Sequence, residues 1–416
     1  MSKYVTKTTR IKQIGKVITG STPPTRHLEY FGDEYLFIKP SDVGDEQRYV
    51  AETETRLSKL GHDYIEKQIL PRNSICVVCI GTLGKICMAK EPSFTNQQIN
   101  GIIVDESKYN PLFIYYLMKL NIPRIKLLDC GSASGRENVN KSSFESIELE
   151  IPELPIQEKI AAVLSAFDSL IELNLGRIRI LQEFAQRLYD EWFVYFRYPE
   201  HEKKEIVQTA RGAPPKEWEI RTLDEVCEVI RSGGTPSRRE MSYWKDGTVN
   251  WFKTKELNDS FLFSSEEKIA ETGLENSSAR LFDTGTILMA IYAAPTVGRL
   301  GILTSPSSCN QAALGLRANP RYLTQHFLFF TLKNLRNYFN SISLGVAQQN
   351  ISAIKVKETP FLLPEHSLIN KFESIAESLM SQVRLAHQRN RTLKRCKDIL
   401  IPNLISGQID VNRLEI

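Results

Sequence analysis

The sequence predicts a mixed α/β chain (α/β shading into α+β), built as two tandem-duplicated domains with two long helices that pair as an antiparallel coiled coil. Three observations carry this. An ordered internal repeat runs along nearly the whole chain, each copy holds a strand–glycine turn–strand pattern, and each copy closes on a heptad seam.

The repeat appears when residue n is set against n+212 to n+214. Gly20-Ser21-Thr22-Pro23 then falls on Gly233-Gly234-Thr235-Pro236, and FIKPSDV (37–43) on WFKTKEL (251–257), which superposes Lys39 on Lys253. LGKI (83–86) meets VGRL (297–300), TNQQI (95–99) meets CNQAA (309–313), and Asn138-Val139 meets Asn350-Ile351. Lys159 meets Lys371. Order is kept while most other positions differ, so the chain is a diverged duplication. Its period is too long for a solenoid, so each copy is a domain plus a connecting element.

Within each copy, SICVVCIGTLGKICMAK (74–90) and TILMAIYAAPTVGRLGILTS (286–305) read as two strands around a glycine turn. Asn110-Pro111 and Asn319-Pro320 each carry the signature of a helix start, with Asn as N-cap and Pro at the first helical position. The first long helix places Ile160, Leu164, Phe167, Ile171, Asn174, Ile178, Leu181, Ala185, Leu188 and Trp192 at alternating steps of four and three. The second keeps the same register through Phe372, Ala376, Leu379, Val383, Ala386, Asn390, Leu393 and Leu400, with Lys397 breaking it. A helix lying on its own domain would show a wider stripe of period 3.6, so the narrow seam favours a coiled coil. The stretch RYPEHEKKEIVQTARGAPPKEW (197–218) is polar and rich in charge and proline, as a linker is. The expected division is 1–150, first domain; 151–197, first helix; 198–217, linker; 218–362, second domain; 363–405, second helix; and 406–416, tail.

Composition narrows the function. The 416 residues are 42% hydrophobic and 25% charged with a formal net charge of +4, an ordinary globular balance that permits a polyanionic partner without requiring one. No run of about 18 apolar residues exists and the start MSKYVTKTTR is polar, so neither a membrane span nor a signal peptide is expected. Seven scattered cysteines suit a reducing, cytoplasmic setting. No Asn/Asp-Pro-Pro-aromatic loop, no Pro-Asp followed by Glu-x-Lys and no GxxxxGK[ST] loop occurs, so methyltransferase, nuclease and nucleotide-hydrolase chemistry have no residue set. Cys76-x-x-Cys79 lies in a predicted strand, where residues three apart face opposite ways, and no second such pair exists, so core cysteines are expected there. The six histidines show no i, i+4 pair, and neither a metal site nor a catalytic nucleophile is expected.

Several phrases in order resemble one family. KEWEIRTLDEVCEVIRSGGTPSR (216–238), LYDEWFVYFRYP (188–199), ILIPNLISGQIDV (399–411) and IPELPIQEKIAAVL (151–164) look like the joints of the specificity subunit of type I restriction–modification systems. The second helix start, LLPEHSLINKFESI, departs from that pattern. The resemblance implies a chain without catalytic activity of its own. It implies that each domain is a target-recognition domain for one half of a split, asymmetric site in double-stranded DNA, with the helices as spacer. It further implies that two methyltransferase subunits dock on the helices, that restriction subunits join them, and that S-adenosylmethionine, ATP and Mg²⁺ are used by those partners. A seam from Ile160 to Trp192 is about 50 Å long at about 1.5 Å per residue, enough to hold two readers one duplex turn, roughly 34–36 Å, apart. Two other readings remain: a self-acting restriction or methylation enzyme, and a coiled-coil adaptor that does not touch DNA.

For a DNA reader, the loops shared by the copies are the candidates for holding the backbone. They are Ser21, Thr22 and Arg26; Thr235, Arg238 and Arg239; Lys39 and Lys253; and the turns carrying Thr82, Lys85 and Arg299. The amides of Asn96, Gln97 and Gln98, and of Asn310 and Gln311, suit a base edge, a phosphate or local backbone. The loops before the second Asn differ between copies, placing Arg136-Glu137 over Gln348-Gln349. Arg suits guanine and Gln suits adenine, so divergent specificity is expected there.

Overall fold

The computed structural model describes residues 4–44, 47–128, 138–203, 215–292, 296–343 and 350–414. The chain divides into two compact units. One joins Met1–Gly176 to Gln388–Ile416 and the other is Arg177–His387. Division by compactness therefore differs from division by chain order, because each unit holds one copy of the repeat with its own stretch of both long helices.

In the first unit a five-stranded sheet runs in the order Gly15–Thr19, Ile99–Val104, Ile75–Val78, Ile86–Ala89, Tyr49–Val50. All its pairs are antiparallel except the last, which is parallel. A three-stranded sheet follows the order Arg56–Leu57, Phe31–Ile38, Ser93–Thr95. The expected strands on either side of the glycine turn are present, and Gly81 and Gly84 take φ of 85° and 89°, where a side chain would be strained. Cys76 and Cys79 are buried in different hydrophobic clusters, on opposite faces of their strand as expected. Burial pushes the Cys79 thiol up to about 12, which makes it inert packing. Asn110 caps the helix Pro111–Leu120 by accepting from the Phe113 N–H at 3.1 Å.

The second unit repeats the topology. Its five-stranded sheet runs Cys227–Ser232, Ala313–Ala318, Ile287–Ala290, Leu300–Leu303, Ser260–Leu262, and its three-stranded sheet Glu267–Ile269, Val249–Phe252, Ser308–Cys309. The bridge from Ile80 to Asn138 recurs as Tyr292 to Asn350. One expectation fails here. The helix after Asn319-Pro320 starts only at Gln325, with Thr324 as its N-cap residue. Asn319 instead accepts the Arg321 N–H at 3.1 Å and closes a turn onto Tyr322 and Leu323, because an Asn side chain stabilises an isolated turn as readily as a helix start.

The first long helix spans Leu154–Tyr189 and continues as a π-helical turn, Asp190–Val194; the second spans His366–Ile405. They run antiparallel within each unit. In the first unit, Asn174 Nδ2 donates to Asn390 Oδ1 at 2.7 Å, Asn390 Nδ2 donates to the Ile171 carbonyl at 3.2 Å, and the Lys397 ammonium donates to Asp168. Ile160 and Leu164 share a core with Ile401, Leu404 and the first domain's own Phe113 and Phe144, so the start of the helix also packs on its domain. Tyr4 ties the tail to this core, donating to the Ile409 carbonyl at 2.8 Å and accepting the Val411 N–H at 2.7 Å. In the second unit Arg177 donates to Gln382 at 2.8 Å, and Phe193 packs on Phe327 and Phe372 with ring centroids 4.9 and 5.2 Å apart. Ile171, Ile178, Phe372 and Val383 are buried; Phe167, Leu181, Leu188, Leu379 and Leu393 are half-buried.

Candidate nucleic-acid interface

The Gly-x-Thr-Pro loop of each copy lies against the Asn-Gln loop of the same copy. In the first unit Gly20 N–H donates to the Ile99 carbonyl at 3.1 Å and Ser21 N–H to the Thr95 carbonyl at 3.0 Å. In the second, Gly233 N–H donates to the Ala313 carbonyl at 3.0 Å and Gly234 N–H to the Cys309 carbonyl at 2.9 Å. Glycine is required by this approach. A Cβ on Gly20 would sit 2.3 Å from the carbonyl oxygens of Thr95 and Asn96, and one on Gly233 would sit 2.3 Å from that of Cys309.

With the loops so placed, a threonine meets a glutamine twice. Thr22 Oγ1 donates to Gln97 Oε1 at 2.6 Å, and Thr235 Oγ1 donates to Gln311 Oε1 in the same way. Both glutamines are exposed. With its oxygen held, each exposed amide still has its NH₂ group to offer an external acceptor.

The lysine loops adjoin this pair. Asn96 N–H donates to the Ile38 carbonyl at 3.2 Å and Asn310 N–H to the Phe252 carbonyl at 3.0 Å, which brings Lys39 and Lys253 beside the amide loops. Their backbones are pinned alike, Lys39 N–H by Asp42 and Lys253 N–H by Glu256, each at 2.8 Å. Their charges are handled differently. Lys39 Nζ donates to the Thr55 hydroxyl at 2.5 Å. Lys253 pairs with Glu267, and Glu267 also takes both nitrogens of Arg238, at 2.5 and 3.1 Å. The Arg238 and Lys253 donors together hold the Glu267 carboxyl down at about 2. The Arg238 guanidinium stacks 3.6 Å from the Trp244 ring centroid. Sequence order alone does not announce that clamp, although Trp244 and Trp251 near two basic residues are a signal for it.

The remaining candidates divide. Lys85 Nζ donates to the Pro40 carbonyl at 3.0 Å, joining the first lysine loop. Asn96 and Gln98 bond one another, Nδ2 to Oε1 at 2.9 Å, and Gln98 also reaches the Ile80 carbonyl at 3.3 Å, so both are spent on local structure. Asn310 Oδ1 is buried with no partner. Thr82, Arg26 and Arg239 are exposed, and Arg299 is half-buried in its glycine turn. Arg136, Gln348 and Gln349 lie outside the described residues.

A family model described as the type I restriction modification DNA specificity domain matches the chain twice, over residues 5–183 and 215–395. The specificity subunit of the type I restriction enzyme MjaIX from Methanocaldococcus jannaschii is 25% identical over 423 residues, spanning 97% of this chain and 94% of the relative. The HindI specificity subunit from Haemophilus influenzae is 35% identical over 158 residues, or 37% of this chain and 34% of its own. Among solved structures, the S subunit of a type I restriction–modification system from M. genitalium aligns over 97% of both chains with a TM-score of 0.58 at 16% identity, a likeness of fold.

Proposed function

Since this chain belongs to the type I restriction–modification DNA specificity family, we propose that its two repeats each read one half of a bipartite, asymmetric duplex site. The chain is the DNA-recognition component and not the catalyst, and methyltransferase and restriction subunits are its partners in kind. Two methyltransferase subunits dock along the long helices, which set the spacing of the half-sites. S-adenosylmethionine, ATP and Mg²⁺ are held by those partners, in the cytoplasm. Among the described residues no helix is long and apolar enough to cross a membrane.

The observation that supports two readers most directly is the repeated Thr–Gln contact, Thr22 with Gln97 and Thr235 with Gln311. The contact is the same in two domains whose half-sites differ, so it serves what the half-sites share, the phosphate backbone. Lys39, Lys85 and Lys253, with Ser21, Arg26, Arg238, Arg239 and Arg299, act alongside it. Base reading falls to the parts that diverge, Arg136 in one copy against Gln348 and Gln349 in the other.

Exchanging residues 1–150 for the equivalent domain of a relative and sequencing the methylated motif in the host tests this. One half of the motif should change while the other half and the spacing persist. A change in both halves would defeat the reading. Pure chain supplied with S-adenosylmethionine and Mg²⁺ should neither methylate nor cleave DNA.

A further inference from the structure

His326, Glu373 and Glu377 come together in the second unit, the histidine from the helix Gln325–Asn334 and the two glutamates from successive turns of the second long helix. One ligand atom from each lies within 4.8 Å of the others. His326 Nδ1 is 2.9 Å from Glu373 Oε1 and 3.4 Å from Glu377 Oε2. Thr324 Oγ1 donates to the other Glu373 oxygen at 2.6 Å, which fixes the carboxylate's plane. The cluster grades from a buried imidazole to an exposed carboxylate, with Glu377 57% exposed.

Two features are poorly served by an ordinary ion pair. Carboxylates at i and i+4 on a helix repel, and a single Nδ1–H can be given fully to only one of them. The duplication supplies an internal control. Lys371 matches Lys159, so Glu373 falls on Ala161 and Glu377 on Ser165, and Ala161 is packed in the first unit's core. His326, second in its ten-residue helix, corresponds to Leu112, second in Pro111–Leu120, which packs against that same core. The fold is thus satisfied by apolar residues at two of these three places, and the ionisable set belongs to the second copy alone.

We propose that His326, Glu373 and Glu377 form a binding site for one divalent first-row cation of the zinc type, with water completing the coordination. Ligands about 2.0–2.1 Å from a tetrahedral zinc lie about 3.3 Å apart, close to the two histidine–carboxylate separations. The Thr324 hydroxyl acts as the outer partner that such ligands commonly have. The cation neutralises both carboxylates at once and braces the short helix of the second domain to the long helix, independently of how either domain reads DNA.

Full-length chain freed of metal by chelation is titrated with Co²⁺ by visible absorption and with Zn²⁺ by calorimetry. One equivalent should bind with tetrahedral cobalt bands and no thiolate charge transfer. Glu377→Gln, at an exposed position that leaves folding intact by circular dichroism, should weaken binding at least tenfold, and His326→Gln should abolish it. His27→Ala, a half-buried histidine of the other unit, should bind as the parent does. Absence of binding, thiolate bands, or equal affinity in the parent and both ligand variants would overturn the proposal.

Discussion

The Lys397 ammonium donates to the Asp168 carboxylate where both side chains are almost wholly buried, 229 residues apart in the chain. Lys397 is the residue that interrupts the heptad seam of the second helix, and the ion pair explains it. Tyr116 donates to the other Asp168 oxygen at 2.5 Å, so the carboxylate is bonded from the helix partner and from the first domain together. Asn174 and Asn390 form a second polar contact one and a half to two turns further along. Such pairs hold register in a seam that leucines alone would leave free to slide.

Breaking this pair should therefore cost more than replacing it. Lys397→Ala strands a buried carboxylate and should lower stability by about 3–5 kcal/mol. Combining Lys397→Met with Asp168→Leu and Tyr116→Phe should recover most of that loss, because the ammonium, the carboxylate and the hydroxyl that bond one another are removed together. Urea unfolding of the full chain compares them.

Ile171 is buried in the seam and Leu181 only half-buried. Ile171→Asp should cost several kcal/mol and abolish assembly with methyltransferase subunits. Leu181→Asp should cost less, since water reaches its site. Equal losses in co-purification and melting would mean the two positions are packed alike in the complex.

Glu267 pairs with both Arg238 and Lys253 within the second domain, whereas Lys39 meets a hydroxyl. Lys39→Ala should lower the salt slope of DNA binding by about one unit. Lys253→Ala should lower it less, and Glu267→Gln should steepen it by releasing Arg238 and leaving Lys253 only Glu266, 3.8 Å away. Salt titrations of binding measure all three, and equal slopes for the two lysine variants would show that DNA displaces the carboxylate.

Gln311→Ala should weaken binding to every sequence alike, as should Gln97→Ala, because an equivalent threonine, Thr235 in one copy and Thr22 in the other, orients each amide. Gln348→Ala should weaken binding at one or two base pairs only, by about 1–3 kcal/mol. A panel of mutated sites separates these outcomes, and selective loss from Gln311→Ala would assign base reading to the amide loop.

The sequence by itself determined the duplication, the strands around each glycine turn, the helix after Asn110 and the two long helices, because each is written in local period and local turn chemistry. Thr22 could be matched to Thr235 and Gln97 to Gln311 by order alone. That each threonine grips its glutamine was decided by the sheet that lays one loop on the other at a glycine. Asn319 shows the limit of local signals, since the same Asn-Pro pair makes a turn when the following residues do not continue the helix. Asp168 with Lys397, Glu267 with its two cations, and His326 with Glu373 and Glu377 were not legible. Each pair stands on different elements, and whether a charge faces solvent or a partner depends on packing that brings distant backbone together, not on the residues beside it.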